Sequence, residues 1–120
     1  MGRAVRLALA ACAAALAACG SPEPAAPEGD AQNGKLLLRQ YGCGGCHEIP
    51  GVAAARGKMG PPLAGIARQA YIAGVLPNDR ANLAAFIRDP RIADPRIAMP
   101  AMGMRDEHLR DMVAYLYTLE

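Results

Sequence analysis

The sequence predicts a small all-α domain, and three observations support this prediction. Apolar residues recur at helical spacing in two segments, near the start and at the end of residues 31–120. No stretch alternates apolar and polar residues as a half-buried strand would. The 120 residues include four Tyr, one Phe and no Trp, so large aromatic side chains are too few to fill a core. We therefore expect something else to contribute to the core.

Residues 1–18 are predicted to be a signal peptide, outside the fold. Arg3 and Arg6 precede an unbroken run of twelve apolar residues, 7–18. Spanning a hydrocarbon core takes about 20 residues. A basic start followed by a shorter apolar run is typical of a secretory signal. The run ends in Leu-Ala-Ala-Cys-Gly, which resembles a bacterial lipobox with Cys19 as the lipidated first residue of the mature chain.

An ordinary cleaved signal with two incidental cysteines is the alternative for this segment. Cys12 is the poorer candidate for lipidation, because only five apolar residues separate it from Arg6. Several acyl chains together hold a protein stably at a membrane. We therefore expect export to the periplasmic side and anchoring to a bacterial membrane through lipid on Cys19.

Residues 19–30 are predicted to be a lipidated linker rich in Pro and Ala. Three prolines and no large apolar residue occur between positions 21 and 29, which is typical of a semi-extended segment. Fully extended, residues 20–30 would reach roughly 35 Å. The domain that follows is predicted to span residues 31–120.

The charge of the chain argues against nucleic-acid binding. Thirteen Lys and Arg residues face eleven Asp and Glu residues, for a formal net charge of +2. Nucleic-acid binders normally present a strongly basic face. Because two of the basic residues lie in the signal, the mature chain would be neutral before any cofactor is added.

The sequence CGGCH at 43–47 is the informative motif. A C-x-x-C-H pattern is the attachment signal for a c-type haem. The thiols of Cys43 and Cys46 add across the two haem vinyl groups, and the two-residue spacer matches the separation of the vinyls. His47 follows directly, so its imidazole is placed as the proximal iron ligand. The two glycines let the backbone pass close to the porphyrin edge. We predict one haem c, covalently attached through both cysteines.

Three other interpretations of this motif compete with haem attachment. A zinc site would need a second Cys/His pair, and His108 is the only other histidine. A thioredoxin-like disulfide would need strand–helix alternation around it, and the sequence shows no such alternation. The third interpretation is chance. The export signal argues against all three, because c-type haem is attached outside the cytoplasm.

A first helix is predicted over residues 31–41, with Asp30 as its N-cap. Gly34 lies on the apolar face of this helix, where a glycine costs about 1 kcal/mol relative to alanine. A close crossing with the last helix, predicted over residues 105–119, would explain it. The apolar face of the last helix comprises Leu109, Met112, Val113, Leu116 and Leu119.

The middle of the chain is predicted to hold two shorter helical segments. Asn78 is predicted to cap a helix that Pro90 ends, because a residue before proline avoids helical geometry. Residues 63–75 are predicted to be another short helical stretch, and residues 88–104 irregular.

The second axial ligand is predicted to come from that irregular stretch, where Met99, Met102 and Met104 are clustered. A thioether is a soft, neutral ligand suited to haem iron. The alternative for each is gap-filling beside the haem. Met112 lies on an apolar helix face and is predicted to be a core residue. Spacing alone leaves the choice among the first three open.

Residues 31–120 resemble class I (mitochondrial-type) cytochrome c, in particular the cytochrome c domain fused to subunit II of some bacterial haem-copper oxidases. The matching segments are CGGCH at 43–47, GPPL at 60–63, NLAAFIRDP at 82–90, MP at 99–100 and AYL at 114–116. The resemblance implies the class I fold, with the terminal helices crossing and the covalently bound haem as core.

The resemblance also implies roles for individual residues. The Met of the Met-Pro pair, Met99, would be the distal ligand. The Pro61 carbonyl would bond the proximal imidazole, which fixes its tautomer and raises its basicity. Gly34 and Tyr115 would lie where the terminal helices cross.

The sequence departs from the family pattern at three points. Phe86 stands where the family often has a Trp that bonds a haem propionate, and Arg68 and Tyr71 are the candidates to compensate. Arg105 stands where a Ser or Thr usually caps the last helix, so Asp106 is the predicted cap. The copper domain of the oxidase subunits has no counterpart here, so we expect a protein other than the oxidase subunit itself.

A haem held by His and Met has no open coordination site, which indicates electron transfer and not enzymatic turnover. We predict a membrane-tethered one-electron carrier of a bacterial respiratory chain. Its partners would be a quinol-oxidising cytochrome bc-type complex or a dehydrogenase, and a terminal oxidase or reductase. A dedicated haem subunit of one oxidoreductase complex is the alternative. A peroxidase-like or ligand-binding haem protein is disfavoured, because no distal acid–base residue is evident and His108 is predicted to be an exposed surface residue.

Overall fold

The computed structural model describes residues 28–120. The predicted signal peptide, lipidation at Cys19 and most of the linker lie outside the described residues and stay predictions. The part of the chain that is described begins just before the first helix.

Three α-helices form the framework of the domain: α1 (Ala31–Gln40), α2 (Arg80–Arg88) and α3 (Asp106–Leu116). Short 3-10 segments occur at Cys43–Gly45, Ile66–Arg68 and Pro90–Ile92. Strands β1 (Tyr71–Ile72) and β2 (Leu76–Pro77) pair antiparallel, with Tyr71 opposite Pro77 and Ile72 opposite Leu76. The prediction of a small, mostly helical fold is confirmed. Between residues 28 and 120, no helix has both the length and the apolar character needed to cross a bilayer.

Helix α1 begins as predicted, at the Asp30 cap. The Asp30 carboxylate accepts hydrogen bonds from the N–H groups of Gln32 (2.8 Å) and Asn33 (3.2 Å), which have no partner within the helix. Gly34 is buried against α3, and a Cβ at that position would lie 1.9 Å from the carbonyl oxygen of Asp111. Only glycine therefore permits this close crossing of the terminal helices.

The Asp111 side chain ties the two ends of the chain together at this crossing. Its carboxylate accepts a hydrogen bond from the Asp30 backbone N–H and another from the Asn33 amide, each 2.7 Å long. These bonds, led by the one from Asp30, lower the pKa of the Asp111 carboxyl below its usual 3.8.

Replacing Asp111 with Asn is expected to destabilise the haem-loaded protein by about 1 kcal/mol at pH 7, since hydrogen bonds to a partly exposed charged group contribute modestly. A carboxyl whose folded pKa is depressed stabilises the fold above its unfolded pKa and loses that contribution as pH falls through the folded pKa. The deficit of the variant should therefore shrink below about pH 4. Urea unfolding at pH 7 and pH 3 measures this. Asn33→Ala should reproduce part of the deficit, and a deficit of equal size at both pH values would contradict the assignment.

The core lies between α1, α2 and α3. Met112 is fully buried, as the helical spacing predicts, and Leu109 packs beside it. Tyr115 is also buried, and its hydroxyl donates to the carbonyl of Pro50 (2.7 Å), which fixes the loop after α1 onto α3.

The predicted cap of α2 is wrong by one residue. The Asp79 carboxylate, and not Asn78, accepts the N–H of Asn82 (2.7 Å). The Asn78 amide instead donates to the carbonyls of Ile66 and Gln69, both at 2.8 Å. Asn and Asp side chains can both cap a helix. Only the Asn78 amide can donate to the two loop carbonyls, so Asp79 becomes the cap.

The helical prediction over residues 63–75 is largely wrong. Only the 3-10 turn at Ile66–Arg68 is helical, because Gln69 is already extended. The chain then forms the hairpin of β1 and β2, whose turn places Ala73 (φ 50°) and Gly74 (φ 74°) in the left-handed region. Strands of two residues are too short to show an alternating pattern in the sequence.

The start of α3 also differs from the prediction. Arg105 occupies the cap position without a side-chain hydrogen bond to the helix, and Asp106 is the first helical residue. The Asp106 carboxylate pairs with the Arg88 guanidinium at the end of α2. The residue predicted to cap α3 therefore links α3 to α2.

Candidate functional site

A cavity of about 620 Å³ opens into the core between the CGGCH segment and residues 97–104. Its wall is mainly apolar, and several of its residues also belong to the hydrophobic core. These shared residues are Leu38, Ile72, Leu83, Ile87, Met104 and Leu116. The cavity therefore replaces part of the core that a domain of this length would otherwise fill with side chains.

The CGGCH segment brings two thiols and an imidazole to one wall of this cavity. Gly42 (φ 75°) turns the chain after α1, and the 3-10 segment Cys43–Gly45 follows. The N–H groups of Cys46 (3.2 Å) and His47 (3.0 Å) both donate to the carbonyl of Cys43. This tight turn places Cys43, Cys46 and His47 together, and all three line the cavity.

The two cysteines are free and half-buried. Burial raises the pKa of the Cys43 thiol above its usual value. Redox-active cysteines of C-x-x-C motifs have lowered pKa values. The environment of Cys43 thus differs from that of a thioredoxin-like site and is that of a thiol held against an apolar cavity.

The His47 ring is oriented by the GPPL segment. Its Nδ1–H donates to the carbonyl of Pro61 (2.7 Å), which is the contact that the resemblance implies. This bond leaves Nε2 as the nitrogen with a free lone pair, available to a metal. Gly60 lies under the ring, where a Cβ would be 2.3 Å from Cε1, so the close seating of His47 requires glycine.

Met99, Met102 and Met104 all reach the cavity wall, but they differ in what else they contact. Met104 is buried in the core cluster, and Met102 packs against that cluster. Met99 is half-buried and lies outside the cluster, so packing in the core does not account for its place at the cavity. Met59 also lines the cavity, at 86% exposure, a position that the sequence analysis did not assign.

The two residues proposed to compensate for the missing Trp are placed differently. Phe86 lines the cavity, as its position in the motif implies. Tyr71 lines the cavity and is 57% exposed, at the mouth. Arg68 is exposed and stands outside the cavity lining formed by the described residues. The role of either side chain toward a propionate stays a prediction.

A pair missed by the sequence analysis joins α1 to α3 beside the cavity. Tyr41 lines the cavity, and its hydroxyl lies 2.8 Å from Nδ1 of His108. The prediction that His108 is an exposed surface residue is wrong, because this contact buries much of the ring. The two residues are 67 positions apart, and no local pattern signals their contact.

A haem fits this arrangement by its chemistry and its size. The cavity falls within the roughly 300–1,000 Å³ range of small-molecule and cofactor sites. Two thiols, an oriented imidazole and a thioether are the groups that would attach and ligate an iron porphyrin. Within residues 28–120, no group of three or more His, Cys, Asp or Glu side chains is placed to hold a bare metal ion.

Known proteins resemble this chain in sequence and in fold. Residues 31–120 match the family described as cytochrome c. The chain is 34% identical over 91 residues to cytochrome c oxidase subunit 2 of Alkalihalophilus pseudofirmus, a match covering 75% of the chain and 26% of that protein. The chain thus spans about a quarter of that relative. The structure of cytochrome c2 from Rhodobacter sphaeroides superposes with a TM-score of 0.54 at 19% identity, covering 77% of this chain and 97% of that one. This likeness shows a shared fold.

Proposed function

Because the chain belongs to the cytochrome c family, we propose that it is a membrane-tethered one-electron carrier of a bacterial respiratory chain. Members of this family are electron-transfer proteins that bind haem c through the cysteines of the motif, here Cys43 and Cys46. When bound, the haem supplies reversible one-electron oxidation and reduction at its iron. The chain would accept electrons from a quinol-oxidising cytochrome bc-type complex or a dehydrogenase and pass them to a terminal oxidase or reductase.

The observation that supports the proposal most is the pairing of two ligand types in one apolar cavity. The imidazole of His47 is held by the Pro61 carbonyl, and Met99 lines the same cavity. With both side chains ligating, no coordination position is left for a substrate, which favours electron transfer over catalysis. A thioether stabilises the oxidised iron less than a second imidazole would, and an apolar wall disfavours the extra positive charge of the oxidised state. Both therefore raise the reduction potential relative to a solvent-exposed haem with two His ligands.

The oxidase relative makes a terminal oxidase the favoured electron acceptor. That protein is subunit 2 of a cytochrome c oxidase, and the match to it covers 75% of this chain. The same relative favours one second candidate function, a dedicated haem subunit of a single oxidoreductase complex.

The proposal is tested by reconstitution with membranes that lack this protein. Adding the haem-loaded protein should restore electron flow from quinol to oxygen, and its haem should be reduced by quinol and reoxidised by the oxidase in turn. A protein that is never reduced by such membranes would contradict the carrier role. Co-purification with one complex at fixed stoichiometry would favour the subunit role.

The tether is tested by replacing Cys19 with Ala in the full-length chain. We expect the haem protein to move from the membrane to the soluble fraction with an unchanged visible spectrum, because the lipid and the haem would be attached at separate sites. Cys12→Ala is the matched control and should stay in the membrane. Retention of the Cys19→Ala protein after a salt wash would refute lipidation at this residue.

A further inference from the structure

Residues 89–98 are a tandem repeat that ends immediately before Met99. The five residues Asp-Pro-Arg-Ile-Ala occur at 89–93 and again at 94–98. Because the two copies are chemically identical, differences in their structure come from their positions in the fold.

Both copies form the same compact turn. In the second copy, the Asp94 carboxylate accepts the backbone N–H of Arg96 (2.9 Å) and two bonds from the Arg96 guanidinium, at 3.0 Å from Nε and 2.8 Å from Nη2. The N–H of Ile97 donates to the Asp94 carbonyl (3.1 Å) and closes the turn. Asp89 and Arg91 make the equivalent fork in the first copy. A fork of this kind fixes the geometry of both side chains.

The copies differ in what supports them. The first continues into a 3-10 turn, with the Ala93 N–H donating to Pro90 (3.0 Å), and Pro90 is buried in the core. Among the described backbone hydrogen bonds, the second copy has no equivalent, and Pro95 is exposed. The second turn therefore depends on its own Asp94–Arg96 fork, whereas the first is also held by the buried Pro90.

The second copy is also the one that leads to the cavity. Ile97, Ala98 and Met99 line the cavity wall, and no residue of the first copy does. Residues 98–101 form no hydrogen bond in the described structure. The next bond along the chain joins the N–H of Met102 to the Arg88 carbonyl (3.0 Å). Met99 thus lies in a segment without hydrogen bonds, between the Asp94 turn before it and the Met102 bond after it.

We propose that Asp94 and Arg96 are positioning residues for the distal ligand, fixing the first end of the segment that presents Met99 to the iron. This inference rests on the proposed role of Met99 as ligand. The fork lies at the surface, with the Arg96 side chain 87% exposed, so its effect is modest. Removing it should raise the fraction of protein with Met99 detached by roughly two- to fivefold, the range expected for a well-formed surface ion pair.

The test uses binding of imidazole to the ferric, haem-loaded protein, because imidazole competes with Met99 for the iron. Arg96→Ala should bind imidazole roughly two- to fivefold more tightly than the unmodified protein, by the same population argument. Arg91→Ala is the matched control, since it breaks the same fork one repeat earlier, and it should bind imidazole as the unmodified protein does. Asp94→Asn keeps an oxygen for the Arg96 N–H, so its affinity for imidazole should lie between those of the unmodified protein and of Asp94→Ala.

The outcomes of this test separate the positioning role of Asp94 and Arg96 from the ligand role of Met99. Equal affinities for Arg96→Ala, Arg91→Ala and the unmodified protein would overturn the positioning role, as would equal increases in both variants, which would indicate a general loss of stability. Met99→Ala should bind imidazole far more tightly than any of them. Should Met99→Ala leave the affinity unchanged, the ligand assignment itself fails, and the positioning role fails with it.

Discussion

Replacing either Cys43 or Cys46 with Ser is expected to abolish normal haem attachment and to leave an unfolded chain that is degraded. Without haem, the core side chains that line the cavity would be exposed to water instead of packing against the porphyrin. Small domains have only about 5–15 kcal/mol of total stability, so losing this apolar burial is expected to unfold the chain.

This expectation is measured by the pyridine haemochrome spectrum of the cell extract together with the amount of chain present. Cys12→Ser, which lies in the predicted signal, should keep both at their normal levels. A Cys43→Ser chain that remained compact and melted cooperatively without haem would show that the apoprotein core is sufficient by itself.

Replacing Met99 with Ala is expected to have the largest effect on the electronic properties of the haem-loaded protein. Loss of the thioether should remove the near-infrared sulfur-to-iron band of the ferric form and open the iron to cyanide and carbon monoxide. The reduction potential should fall on the order of 0.1 V or more, because axial ligands tune haem potentials over most of a volt. Optical spectra and a redox titration measure these changes.

Met102→Ala and Met104→Ala are the controls for this assignment, and both should keep the band. Met104 is buried in the core, so its replacement should instead cost about 2–5 kcal/mol of stability. If Met99→Ala kept the band while one of the other variants lost it, the ligand would be another methionine. The carrier proposal would survive that result, because any of the three thioethers would close the sixth position.

The sequence predicted those parts of the fold that depend on local chemistry. The Asp30 cap follows from helix geometry within a few residues, and the structure bears it out. The grouping of Cys43, Cys46 and His47 follows from a five-residue motif. Each of these features is contained in one short segment, so tertiary contacts did not have to be known.

The features that could not be predicted depend on partners distant in the chain. Asn78 and Asp79 are both good caps, and only the carbonyls of Ile66 and Gln69 decide which of them caps α2. The hairpin at β1 and β2 has two residues per strand, which is below the length at which alternation can be seen. For Tyr41 and His108, periodicity identifies a helix face but not the residue that will oppose it.

The crossing of α1 and α3 has a consequence for the order in which the chain acquires structure. The bond between Asp30 and Asp111 spans 81 positions, so the contacts that seal the domain have high sequence separation and pay a large loop-closure entropy. Because we expect the domain to stay unfolded without haem, the thiols of Cys43 and Cys46 would remain accessible for haem attachment, and the crossing would form afterwards.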